Sequence, residues 1–248
     1  MANWSDPRTT AVPRPAGVGT RDAAIDAGLR SYMLSVYNYM GSGVLLTGVV
    51  AMLFARGGAD SPAAHILLNG GALAFLIMLA PLGFVMVLSF GINRLSTQAA
   101  QALYWAFAVV MGLSLSTIFL RYTGVSIAQT FFATAVAFGG LSLYGYTTKR
   151  DLGPLGTFLI MGLIGLIVVS LINVFFMKSA MFDMVISFVG VLLFAGLTAY
   201  DTQKIKSMYY HVAGSDFVGK SVVMGALTLY LDFINMFLFL LRFMGDRR

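Results

Sequence analysis

The chain has 248 residues, 58% of them hydrophobic and only 10% charged, with a formal net charge of +6. A soluble domain of this length carries about 25% charged residues, so this composition identifies an integral membrane protein. Cysteine is absent, which excludes disulfides and thiolate metal sites. Glutamate is absent too, and the two histidines, His65 and His211, fall in predicted loops, which argues against a histidine–carboxylate zinc hydrolase. The positive charge calls for no nucleic-acid partner, because basic residues beside membrane spans set topology and meet anionic headgroups.

Residues 1–30 contain prolines, four arginines and no apolar core, so they read as a cytoplasmic N-terminal tail rather than a secretory signal. Asp26–Arg30 is expected to open a short amphipathic helix leading into the membrane domain of residues 31–245. A span needs about 20 apolar residues. Seven segments qualify: Tyr32–Phe54, Ile66–Phe90, Ala100–Leu120, Ser126–Tyr146, Leu155–Met177, Met181–Tyr200 and Ser221–Phe243. Pro81 lies inside the second and removes one backbone donor there. Glycines recur within the spans, among them Gly43, Gly112, Gly162, Gly190 and Gly196, and small residues let membrane helices approach closely. The fold class is therefore an all-α membrane protein, a bundle of seven transmembrane helices.

Orientation follows the lysine and arginine bias of the short loops. Arg8, Arg14, Arg21, Arg30, Arg94, Lys149, Arg150, Lys204, Lys206 and Lys220 share one side, against Arg56, Arg121 and Lys178 on the other. The N-terminus is expected in the cytoplasm. The last segment admits two readings: a full crossing puts Arg242, Arg247 and Arg248 outside, whereas a re-entrant, interrupted helix returns them to the cytoplasmic side.

All ten acidic residues are aspartates, and eight lie in tails, loops or near the ends of apolar runs. Asp201 and Asp232 differ. An acid within the bilayer costs several kcal/mol unless paired, protonated or wetted, so it marks a functional site by default. Helical spacing places Ser187, Gly190, Thr198 and Asp201 on one face of the sixth span. Gly225, Thr228, Asp232 and Asn235 form a similar stripe on the seventh. Two such stripes are best satisfied facing each other or a common wet cavity. Asp201 also has a plainer reading, as an interfacial residue at the end of its apolar run, solvated or paired with Lys204. Asp232 has apolar sequence on both sides. Asn173, with Ser170 one turn before it, is a further polar position that either lines the bundle or makes an interhelical hydrogen bond. Asp183 reads as interfacial.

Two carboxyls within hydrogen-bonding reach in a low-dielectric site share one proton, and their titration belongs to the pair. Such a dyad is a proton-dependent latch between two helices. Doubly ionised, it repels or recruits water and a hard cation; Asp201, Asp232, Asn235 and freed carbonyls are the oxygen type that calcium prefers.

The run Gly196-Leu-Thr-Ala-Tyr-Asp-Thr-Gln-Lys-Ile-Lys206, with Gly225-Ala-Leu-Thr-Leu-Tyr-Leu-Asp-Phe-Ile-Asn235 about 20 residues on, resembles the signature of the Bax inhibitor family, also called transmembrane Bax-inhibitor-motif proteins. The first span, Leu29-Arg-Ser-Tyr-Met-Leu-Ser-Val-Tyr-Asn-Tyr-Met40, looks like bacterial members, and the resemblance covers roughly residues 29–243. It implies a seven-helix bundle with the last helix central, set in a bacterial inner membrane. It also implies a pH-sensitive calcium leak whose sensor is the pair Asp201 and Asp232, with calcium as a transported or transiently bound ion, protons as the other small partner, and no cofactor. Family members carry an arginine near the cytoplasmic end of the second helix that engages the dyad; Arg94 is the candidate, although Gly91-Ile-Asn-Arg-Leu-Ser does not match clearly, and it equally reads as a topogenic charge. The acid found within the second helix of some bacterial members is missing here.

Two other functions compete. One is a non-conducting regulatory membrane protein that binds other membrane proteins, such as a quality-control protease. The other, an intramembrane aspartyl protease, lacks its Gly-x-Gly-Asp pattern around Asp232, so the chain is not expected to be an enzyme.

Overall fold

The structure, a computed structural model, describes residues 17–248 except 69, with side chains from residue 25 onward. Eight helices follow in order: α1 (Gly17–Phe54), α2 (Ala72–Gly91), α3 (Thr97–Leu115), α4 (Thr117–Arg121), α5 (Gly124–Thr147), α6 (Gly153–Ile172), α7 (Ala180–Val212) and α8 (Val218–Met244). Seven helical stretches are long and apolar enough to cross a membrane, with α3 and α4 together forming the third. Of the expected N-terminal tail, residues 1–16 lie outside the described residues, and from Gly17 the chain is already in α1.

The last helix is central. Two-thirds of the α8 span (67%) is buried within the protein, against 17–33% for the other six. It packs on α7, α1, α5 and α3. Its fully enclosed side chains include Val223, Leu227, Leu229, Tyr230 and Met236. By contrast, α2 and α6 present Phe90, Leu82, Phe158 and Met161 outward, the all-round apolar surface of helices at a lipid boundary. Hydroxyls tie α8 to its neighbours. Thr47 Oγ1 donates to the Ala108 carbonyl at 2.8 Å and accepts from the Tyr230 hydroxyl at 2.7 Å, joining α1, α3 and α8 at one point. Tyr32 meets Ser221 Oγ at 2.6 Å. On the other flank, α5 and α7 touch backbone to backbone: a Cβ at Gly145 would overlap the Ala199 carbonyl oxygen, so only glycine fits there.

Two expectations are corrected and one open choice is decided. The second apolar run is broken before α2 begins. Gly70 and Gly71 both have positive φ (73° and 102°), and Ile66 belongs to a separate wide turn, Ala64–Leu68. The sixth span continues past Tyr200 to Val212, because nothing in Asp201-Thr-Gln-Lys-Ile-Lys breaks a helix; the chain turns only around Gly214, at φ +76°. His211 is thus in the last turn of a helix rather than in a loop. The seventh segment is one continuous helix, so the re-entrant alternative does not hold. Its C-terminal extension folds onto the α4–α5 turn: Thr123 N donates to the Asp246 carbonyl at 3.1 Å and Arg248 N to the Arg121 carbonyl at 2.9 Å.

Candidate functional site

α7 and α8 are the most extensively packed pair of helices in the bundle, and each carries one aspartate to their contact. Asp201 lies about 32 Å along α7 and Asp232 about 21 Å along α8, by the ~1.5 Å rise per residue of a helix. α7 spans 33 residues, or roughly 50 Å, so its last turns project beyond a hydrocarbon core of about 30 Å. Asp201 is therefore three turns inside its helix rather than at the end of it. It is 8% exposed and Asp232 5%, so neither depends on bulk solvent.

The two aspartates approach each other closely enough across the α7–α8 contact for their carboxyls to interact. A carboxylate has no proton to donate, so that contact requires one of them to be protonated. No N–H or O–H of any other described residue reaches the buried Oδ2 of Asp232. The pair must satisfy itself. This separates Asp201 from the plainer reading of a solvated helix-end residue, although Lys204, one turn on, does bear on it electrostatically.

Both aspartates line a cleft of about 550 Å³ walled by α6 and α8 and floored by α7. Thr228, Asn235 and Ser170 supply its other polar side chains, each bonded back to its own helix: to Met224 O at 3.1 Å, Leu231 O at 2.8 Å and Leu166 O at 2.7 Å. Their remaining oxygen lone pairs are free to face the cleft. Ile167, Leu171 and Val174, at its edge, also point outward, so the cleft reaches the lipid-facing rim of the bundle beside α6.

Of the polar residues singled out in the sequence, the structure brings Asp201, Asp232, Thr228 and Asn235 together. It places three elsewhere. Thr198 is fully buried, bonds to Phe194 O at 2.7 Å and lies off the cleft lining. Asn173 does not line the bundle either. Its Oδ1 accepts from Ser179 N at 3.1 Å and its Nδ2 donates to Ser179 O at 3.3 Å, closing the turn that ends at Lys178, the one non-glycine residue with positive φ among those described. Arg94 is exposed on the α2–α3 turn and pairs with neither aspartate; the ion pair found among the described residues is Arg242–Asp183 at 3.4 Å.

Sequence reasoning missed a chain of hydroxyls beside the pair. Thr202 Oγ1 donates to Thr198 O at 2.7 Å, so it must accept from Ser142 Oγ at 2.9 Å, and Ser142 in turn accepts from Tyr37 at 2.5 Å. This one-directional relay links α1, α5 and α7 immediately after Asp201. Its only sequence signal is the threonine next to the aspartate. The rest of the run clamps the loop after α5. Gln203 accepts from Leu152 N and donates to Arg150 O, both at 2.8 Å, and Lys206 donates to Tyr146 O at 2.7 Å.

The fold is that of a polytopic helical membrane protein, with seven helical stretches long and apolar enough to cross a bilayer. The family model described as "Inhibitor of apoptosis-promoting Bax1" matches residues 29–248, and the chain belongs to that family, the Bax inhibitor family. Among its relatives, the inner membrane protein YbhL of Escherichia coli K12 is 46% identical over 90% of this chain and 94% of its own length. An uncharacterised protein of Rickettsia prowazekii is 50% identical over 92% of this chain and 95% of its own, and one of Caulobacter vibrioides 45% over 92% and 93%. This is an integral membrane protein with relatives in bacterial membranes.

Proposed function

We propose that the chain is a calcium-permeable leak channel whose gate is the Asp201–Asp232 pair. The observation that carries this reading is the buried contact between the two carboxyls, which stands only while they share a proton. Singly protonated, the pair ties α7 to α8. With the proton gone, two negative charges face each other in a poorly screened site, and the contact is replaced by separation, water or a cation. Asn235, Thr228 and Ser170 extend the oxygen lining of the cleft from that point. Calcium normally takes six to eight oxygens, and the described residues contain no cluster of three or more acidic, histidine or cysteine side chains. Two carboxylates with scattered hydroxyl and amide oxygens suit an ion in passage better than a resident one. Proton sharing and cation contact are the chemistry of the cleft lining on which this reading rests.

The orientation supporting this reading puts the N-terminal end of α1 in the cytoplasm. That side holds ten of the 16 lysines and arginines even after the full crossing of α8 places Arg242, Arg247 and Arg248 opposite.

The test is calcium flux into proteoliposomes as a function of pH. Asp201→Asn and Asp232→Asn each remove the shared proton and should flatten the pH profile. If both variants keep the wild-type flux and profile, the dyad is not the gate. If the wild-type protein passes no calcium at any pH, the non-conducting regulator takes the place of the channel.

A further inference from the structure

At the end of the bundle away from the loop clamped by Gln203, four arginines converge. Arg121 at the end of α4, Arg242 in the last turn of α8, and Arg247 and Arg248 beyond it line one basin of about 660 Å³. An adjoining basin of about 420 Å³ is formed by Arg56 and again Arg248. The segment that carries Arg247 and Arg248 is held in place by backbone pairing with Tyr122 and by the bond from Arg248 N to Arg121 O. The rim also has acids. Asp183 pairs with Arg242, and Asp246 is exposed next to Arg247. With the exposed Asp60 of the Arg56 turn counted, five guanidinium groups against three side-chain carboxylates leave a positive excess, and among the described residues neither Arg121, Arg247 nor Arg248 is paired with an acid.

Directly beneath lies an apolar groove of about 350 Å³ between α1, α4, α5 and α8. It is continuous with the basins: Ile118 lines both the groove and the first basin, and Met52 and Phe119 line both the groove and the second. It runs from Met52 to Val44 on α1 and from Gly124 to Phe132 on α5. Eight residues of helix are about 12 Å, against a single-leaflet hydrocarbon depth of about 15 Å. Glycines at 48 and 124 leave its walls smooth, with open space at both Cβ positions.

We infer that this end of the bundle is a binding site for an anionic phospholipid, its phosphate on Arg121, Arg247 and Arg248 and one acyl chain in the groove between α1 and α5. Guanidinium groups bind phosphate oxygens in bidentate fashion. Basic residues near a bilayer surface attract anionic lipids in general; here the backbone that carries the arginines is held in place above a groove of acyl depth, which makes a site rather than a diffuse attraction.

The experiment is native mass spectrometry of the detergent-purified full chain titrated with long-chain phosphatidylglycerol, phosphatidylcholine of the same chains, or glycerol phosphate. Phosphatidylglycerol should be retained in preference to the other two. Arg121→Gln or Arg247→Gln should weaken it about fivefold each and the double variant about 25-fold, at roughly 1 kcal/mol per basic residue near the surface. Lys149→Gln/Arg150→Gln, at the opposite end, should change nothing. Gly48→Leu fills the groove without a backbone clash and should weaken long-chain phosphatidylglycerol while leaving short-chain phosphatidylglycerol unaffected. Equal retention of phosphatidylcholine, equal binding of glycerol phosphate, or unchanged retention in the double variant and in Gly48→Leu overturns the proposal.

Discussion

The hydroxyl junction of Tyr230, Thr47 and Ala108 makes an unequal demand on its two side chains, and that inequality can be measured. Tyr230 is two residues before Asp232 and fully enclosed, with its ring edge-on to Tyr104 and Phe107. Thr47 spends its single proton on the Ala108 carbonyl, so Tyr230 is the donor and Thr47 the acceptor between them. Tyr230→Phe removes that donor and leaves no proton stranded, because Thr47 keeps its bond to Ala108. The loss is one interhelical hydrogen bond, about 0.6–1 kcal/mol. Thr47→Val removes that bond and the one to the Ala108 carbonyl, and also strands the buried Tyr230 hydroxyl, at a further cost of about 1–3 kcal/mol. The double variant has no stranded donor. Adding Tyr230→Phe to Thr47→Val should therefore recover stability rather than lose more, leaving the double variant below Tyr230→Phe alone only by the Thr47–Ala108 bond. Unfolding by SDS titration in mixed micelles, followed by tryptophan fluorescence, gives the three values and the coupling between them. Strict additivity, or a greater loss in Tyr230→Phe than in Thr47→Val, refutes the assignment of donor and acceptor.

Other predictions follow from single contacts. Gly145→Ala drives a methyl into the Ala199 carbonyl and should cost about 1–3 kcal/mol, whereas Gly140→Ala, with open space at its Cβ position, should be tolerated; monodispersity on size exclusion after mild heating separates them. Asn173→Ala removes both bonds to Ser179 and should lower stability by about 1–2 kcal/mol while leaving the pH profile of calcium flux unchanged; a shifted profile would return Asn173 to the cleft lining. Gln203→Ala frees the Arg150 carbonyl and the Leu152 amide, so trypsin should cut after Lys149 and Arg150 faster than in the wild type, with SDS stability lowered by no more than about 1 kcal/mol. Unchanged cleavage kinetics would show that the loop is held by other means.

How much of this was legible in the sequence depended on which physical signal each residue carries. The seven spans were, because hydrocarbon depth demands apolar runs of about 20 residues and the chain supplies seven. The placement of α8 at the centre came from the family signature rather than from hydropathy: its apolar content is ordinary and only its packing is unusual. Asp232 stood out because apolar residues flank it on both sides. Asp201 was ambiguous because hydropathy measures where the hydrocarbon ends, not where the helix ends, and α7 outlasts the bilayer by several turns. Asn173 misled because a buried amide gives the same signal whether it faces another helix or its own turn. Tyr37 and Ser142 gave no signal, and Thr202 only its place beside Asp201, since lone hydroxyls are unremarkable in membrane helices. Their alignment exists only once three helices have met.

The centrality of α8 also has a consequence for how the molecule is made. Synthesis runs from the N-terminus, so the helices that form the outer wall enter the membrane before the one they enclose. Until residue 218 and beyond emerge, the wall has no centre: Tyr104 and Phe107 have no Tyr230 to pack on, the Tyr32 hydroxyl has no Ser221, and Asp201 has no Asp232 across from it. The bundle is completed from the inside, in a single late step. Any stalled or truncated chain that stops short of α8 is consequently six spans with an unfilled centre and Asp201 facing it alone.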